Sequence, residues 1–181
     1  SGSKLVASGK TGGGNVLIGG DWKGSGKLLQ ATYATVEKNT LIDASSTKTG
    51  DGGKIVIWSD IKDKNSVTKV DGTLKAKSVD GTGGKIETSG AALNTDGIKV
   101  DASSQKGKGG LWLIDPYNYT INQTQANTIL GTLNSGTSVT ITTSSDVTGH
   151  GSSGSSGSGD ITVNAGLTLT QGRDATLTLN A

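Results

Sequence analysis

Short stretches in which every second residue is aliphatic run along this chain, and they take two forms. In the last quarter a Thr is bracketed by aliphatics four times, as Val139-Thr140-Ile141, Ile161-Thr162-Val163, Leu167-Thr168-Leu169 and Leu177-Thr178-Leu179. This alternation of period two predicts strands with one buried face. Upstream, a Gly pair launches each aliphatic run: Gly13-Gly14 before Asn15–Ile18, Gly52-Gly53 before Lys54–Trp58, Gly83-Gly84 before Lys85-Ile86, and Gly109-Gly110 before Leu111–Ile114. The pairs are spaced 39, 31 and 26 residues apart, which predicts loops of varied length on a repeated strand unit. A second echo supports the repeat, because Ile42-Asp43-Ala44-Ser45-Ser46 returns as Val100-Asp101-Ala102-Ser103-Ser104. Repeated strand units of this kind predict an all-β fold, a solenoid in which stacked coils share one thin core.

Two stretches interrupt the pattern. The only Pro of the chain, in Asp115-Pro116-Tyr117, removes a ladder donor and marks a corner or an edge. Beyond it, Ala126, Ile129, Leu130 and Leu133 fall at i, i+3, i+4 and i+7. That spacing predicts one short helix over 124–134, with Thr124 as N-cap and Gly136 past its end. The Ser/Gly run around 149–159, with His150 inside it, is expected to be a flexible loop. The chain therefore divides into residues 1–4, where Ser1-Gly2-Ser3 reads as a cloning remnant, coils over 5–116, and a continuation over 117–181. It is expected to be a monomeric piece of a longer precursor, its last coil left open after Ala181.

Composition fits a narrow core. Leu, Ile and Val total 38 of 181 residues, Gly is 30, and Phe and Met are absent, which is too little apolar mass for a wide globular interior. A solenoid needs less, since each strand buries only alternate residues. The net charge of +2 and the ordered alternation separate the chain from disordered sequences. Residues 1–110 hold all sixteen Lys against eleven acids, while 111–181 hold Arg173 against four Asp. The lysines are interleaved with acids, as in Asp60, Lys62, Asp63 and Lys64, so a solvated face is expected and no nucleic-acid partner. There is no Cys, and no apolar run reaches the roughly 18 residues of a membrane span.

Little in the chain announces catalysis. One His, one Arg and no Cys leave few general bases or ligands, so no catalytic residue, metal or cofactor is expected. Gly24-Ser25-Gly26-Lys27 fails as a phosphate loop, because the first Gly would fall at Asp21 and Leu28 stands in place of Ser or Thr. The competing class is a carbohydrate-active β-helix enzyme, which would require Asp43, Asp51, Asp60 and Asp63 to converge in one groove. Aromatic residues are scarce, and Trp22, Trp58 and Trp112 are the candidates for stacking on a glycan, against packing under a loop. Two sequons, Asn118-Tyr119-Thr120 and Asn122-Gln123-Thr124, make Asn118 and Asn122 candidate glycosylation acceptors.

Three motifs in order carry a family likeness: Gly52-Gly53-Lys54-Ile55-Val56-Ile57-Trp58-Ser59-Asp60, Gly83-Gly84-Lys85-Ile86-Glu87-Thr88-Ser89-Gly90, and Trp112-Leu113-Ile114-Asp115-Pro116. Over roughly residues 12–181 the chain resembles the large haemagglutinin-type adhesins of Gram-negative bacteria exported by two-partner secretion, such as filamentous haemagglutinin and the high-molecular-weight adhesins. The resemblance implies a right-handed parallel β-helix and export of the precursor through an outer-membrane transporter. It also implies display at the bacterial surface, with a host-cell receptor or glycan as partner. The Asn-Pro-Asn-Gly type element of the family's secretion domain is absent, which places this segment downstream of that domain. The stalk of a related toxin-delivery fibre remains an alternative.

Overall fold

The computed structural model describes residues 2–143, 159–169 and 172–181. Strands form after each of the four Gly pairs and at three of the four Thr-centred alternations, and all of the strands pair in parallel. In chain order they are β1 (Lys4–Val6), β2 (Asn15–Ile18) and β3 (Tyr33–Val36), then β4 (Leu41–Asp43), β5 (Lys54–Trp58) and β6 (Val67–Val70). Next come β7 (Thr73–Lys75), β8 (Lys85–Gly90) and β9 (Ala92–Asn94), followed by β10 (Lys99–Asp101), β11 (Leu111–Pro116) and β12 (Tyr119–Ile121). The helix α1 (Gln123–Asn134) precedes β13 (Ser138–Thr142), β14 (Ile161–Val163) and β15 (Leu177–Asn180).

Successive strands visit the sheets in rotation. One sheet runs β1-β4-β7-β10, a second β2-β5-β8-β11-β13-β15, a third β3-β6-β9, and a separate pair joins β12 to β14. Register in the second sheet stacks like on like: Val16, Ile55, Ile86, Trp112, Val139 and Leu177 form one rank, and Ile18, Ile57, Thr88, Ile114, Ile141 and Leu179 another. These ranks face the main core, except at Leu179 in the last strand, which is exposed, and they pack with Ile42, Leu74 and Val100 of the first sheet. The intervening rank, Leu17, Val56, Glu87, Leu113 and Thr140, faces the other way.

The Gly pairs have a steric cause. The second Gly of each pair donates its N–H to an Ala carbonyl at the end of the preceding strand: Gly14 to Ala7, Gly53 to Ala44, Gly84 to Ala76 and Gly110 to Ala102. The first Gly lies against the corner of the next coil, where a Cβ on Gly13, Gly52 or Gly83 would strike the carbonyl oxygen of Ala44, Ala76 or Ala102. Backbone approaches backbone too closely there for any side chain. Gly83→Ala is therefore expected to cost about 1–3 kcal/mol, the usual range for overpacking. Gly131→Ala, in α1 with nothing within 4 Å of the new Cβ, should raise stability by about 0.5–1 kcal/mol. Urea midpoints of the two variants check both signs, and an unchanged midpoint for Gly83→Ala would show that the corner has room.

The Asp-Ala-Ser-Ser echo lies two strands apart in the first sheet, and its copies fold alike. Asp43 Oδ1 accepts from the Ser45 N–H at 3.0 Å, and Asp101 Oδ1 from the Ser103 N–H at 3.0 Å. After β12 the rotation calls for a fifth strand beside β10, and α1 stands there instead, packed on β10, β12 and β13. The ladder is completed by a side chain: the N–H of Ala102 donates to Thr137 Oγ1 at 2.9 Å, where its counterparts in earlier coils donate to backbone carbonyls.

Several expectations need correction. The N-cap of α1 is Asn122, whose Oδ1 accepts from the Thr124 and Gln125 N–H groups, so the cap and the helix start lie two residues earlier than a Thr124 cap implies. Leu167-Thr168-Leu169 alternates but forms no strand, and alternation without a hydrogen-bonding neighbour does not make a ladder. The loop expected over 149–159, with His150, lies outside the described residues except for Gly159. Pro116 ends β11 opposite Gly90, beyond Ile114, the last residue of β11 paired to β13, so its missing N–H breaks no bond in that ladder. Among the described residues no helix is long and apolar enough to cross a membrane.

Candidate functional site

The three tryptophans do not form a platform. Trp112 points into the main core and is fully buried, its Nε1 donating to Thr88 Oγ1 at 3.1 Å. Trp58 is on the opposite face of the same sheet but only 2 % exposed, because the loop from Gly19 to Ala31 lies across it. Its Nε1 donates to Gln30 Oε1 at 3.0 Å, and Gly20 and Gly24 pass so close that a Cβ on either would strike the indole. Trp22 is half-buried, with Lys85 Nζ 5.8 Å from its ring centroid, within reach of a cation–π contact. Trp58 and Trp112 thus offer no ring face to a sugar, and exchanging all three for Ala would test packing before it tested binding.

The same loop roofs a carboxylate that sequence reasoning missed. Glu87 lies in the outward rank between Val56 and Leu113 and is 0 % exposed. Its Oε2 accepts from the Lys23 N–H at 2.9 Å and its Oε1 from Ser89 Oγ at 2.9 Å, with the buried Asp115 nearby. Burial pushes the carboxyl up to about 7, the two hydrogen bonds oppose that rise, and the Asp115 charge adds to it. The roof bends through left-handed backbone at Gly19, Lys23, Gly24 and Gly26. The sequence held a signal for Glu87: aligning the Gly pairs puts position 87 in one column with Val56 and Leu113, an acid in an apolar rank.

The candidate carboxylates Asp43, Asp51, Asp60 and Asp63 are each spent on local backbone. They accept from the N–H groups of Ser45, Thr82, Lys62 and Asn65 respectively, at 2.7–3.0 Å. This is how Asp stabilises turns and coil-to-coil loops.

Convergent polar groups are found elsewhere, in an open cleft of about 830 Å³ bounded by β9, the start of β12 and the first turn of α1. Both sequon residues, Asn118 and Asn122, line it and are exposed. Asn118 Oδ1 accepts from the N–H groups of Gly159 and Asp160 at 3.0 and 2.8 Å, while Asn122 Oδ1 caps α1. Each carboxamide oxygen is thereby committed to backbone, which leaves the Nδ2 protons as the donors for anything bound in the cleft. On the facing wall Asp96 accepts from Gln125 Nε2 at 2.6 Å and from Asn94 Nδ2 at 3.2 Å. Beneath, Tyr119 OH and Thr95 Oγ1 share a buried hydrogen bond of 3.0 Å, and burial raises the Tyr119 hydroxyl above its usual value, so it remains protonated. Lys64 and Asp96 are the two charged residues of the lining.

No protein-family model matches this chain, and no curated protein matches it.

Proposed function

We propose that this chain is a length of right-handed parallel β-helix in a large secreted bacterial surface adhesin, non-catalytic, which displays its loops and cleft for attachment to host cells or glycans. One observation carries the reading: the strands visit three parallel sheets in rotation, coil after coil, with like residues in register. A right-handed path is supported by the strong bias of parallel crossover connections toward that hand. In such a fold every coil hydrogen-bonds to the next along the axis, which suits a rod that holds binding surfaces away from a cell. Loops of unequal length between the strands, such as the roof over Glu87, vary the surface without altering the core. The resemblance to two-partner-secretion adhesins adds the route: the precursor crosses the outer membrane through its transporter and stays at the cell exterior.

Binding of the purified chain to cultured host epithelial cells tests the attachment role. Saturable binding is the expected result. A folded chain that binds no cells would reduce this segment to a spacer, with adhesion sited elsewhere in the precursor.

A further inference from the structure

We infer that the cleft between β9, β12 and α1 is a binding site for an uncharged saccharide. The inference rests on the adhesin reading for its biological use but on the cleft alone for its chemistry. Three features select the ligand class. First, the lining holds one Lys and one Asp, so no net field favours a phosphate, a sulfate or a nucleic acid. Second, it is dominated by amides and hydroxyls where a site for an apolar molecule would be built from aliphatic and aromatic side chains. Third, its polar groups are already held in place. Asp96 is clamped between the amides of Asn94 and Gln125, and Asn118 and Asn122 are anchored through their oxygens to backbone.

A sugar hydroxyl both donates and accepts, so a pair of neighbouring hydroxyls matches a carboxylate acceptor beside amide donors. Asp96 accepts from such a pair, and the Nδ2 groups of Asn118 and Asn122 donate to ring or hydroxyl oxygens. Tyr117, half-exposed at the rim, supplies an aromatic surface for the apolar face of a pyranose ring. An independent observation points to a ligand as well. Gln125 is 8 % exposed, and while its Nε2 is bonded to Asp96, its buried Oε1 has no hydrogen-bond partner. An unsatisfied buried acceptor is costly, and a small shift of the Gln125 side chain toward the cleft would let a ligand hydroxyl supply the missing donor.

The test is a printed array of neutral, sialylated and sulfated oligosaccharides probed with the wild-type chain, followed by calorimetric titration of the best binder. Asp96→Ala and Asn94→Ala alter exposed positions, the second at the end of β9, and Lys106→Ala, near the groove by Arg173, serves as control. The expected result is binding to uncharged saccharides, weakened at least about tenfold by Asp96→Ala at a temperature where the variant is still folded, weakened also by Asn94→Ala, and unaffected by Lys106→Ala. Binding confined to sulfated or sialylated glycans, binding that survives both Asp96→Ala and Asn94→Ala, or no saccharide binding at all would overturn it. The two readings fail separately. Cell attachment without saccharide binding sinks the cleft and leaves the adhesin reading standing, while saccharide binding without cell attachment does the reverse.

Discussion

Ile57→Asp abolishes cooperative melting of this protein. Ile57 is fully buried in β5, facing the main core with Ile18 of β2 on one side and Thr88 of β8 on the other. The exchange removes a buried side chain, which alone costs about 2–5 kcal/mol for truncation to Ala. It then places a carboxylate among aliphatics with no cation beside it, adding several kcal/mol or forcing the group to protonate. Since domains are stable by only about 5–15 kcal/mol, the sum reaches the scale of the whole. Two comparisons isolate the cause. Ile57→Val keeps the apolar surface and should cost about 0.5–1.5 kcal/mol. Thr178→Asp sits on the exposed outward rank of β15 and should stay within about 0.5 kcal/mol of the parent. Thermal denaturation followed by circular dichroism reads all three, and an Ile57→Asp protein that melts like its parent would show that the inward face has been misassigned.

What can be read in the sequence is whatever the backbone dictates locally and repeats. The Gly pairs mark β2, β5, β8 and β11 because backbone contact at the corner admits no Cβ, a requirement that recurs before each of these four strands but not before β13 or β15. The Asp-Ala-Ser-Ser echo is legible for the same reason, each Asp turning the chain by bonding the N–H two residues on. Features that depend on distant segments are not legible. Trp58 ends an aliphatic run, as expected, but only the path of the loop through Gly20 and Gly24 shows why it is covered. That loop also contains the Gly24–Lys27 stretch that fails as a phosphate loop, and its use is to lay flat backbone on an indole. The cleft draws on residues near 64, 91–96 and 117–125, brought together by stacking and by the helix that takes the place of a strand. Asn118 and Asn122 stand out as sequons, yet nothing in their motif foretells that one anchors Gly159 and Asp160 and the other caps α1.

Glu87 predicts how stability changes with pH. Its carboxyl is raised from 4.5 to about 7 in the folded protein by burial under the roof, so the folded chain holds a proton that the unfolded chain releases between those values. Below pH 4.5 the group is neutral in both states and its stabilisation is fully present. As pH rises toward 7, unfolding releases that proton and becomes more favourable, and above 7 the folded state carries a buried charge beside Asp115. Each tenfold difference in proton affinity between the folded and unfolded chain is worth about 1.4 kcal/mol, so the loss comes to about 3 kcal/mol. Glu87→Gln keeps the essential bonds, its carbonyl accepting from the Lys23 N–H and its amide donating to Ser89 Oγ, but it cannot ionise. Urea unfolding from pH 4 to pH 8 should therefore show Glu87→Gln gaining about 3 kcal/mol on the wild type across that window, with most of the gain between pH 5 and 7. Contributions from titrating groups that do not interact with Glu87 are common to both proteins and cancel in the difference. Parallel stability curves would mean that water reaches Glu87 and that the loop from Gly19 to Ala31 opens in solution. A divergence of the expected size would mean that the roof stays shut, held in part by a carboxyl that is protonated when it is most stable.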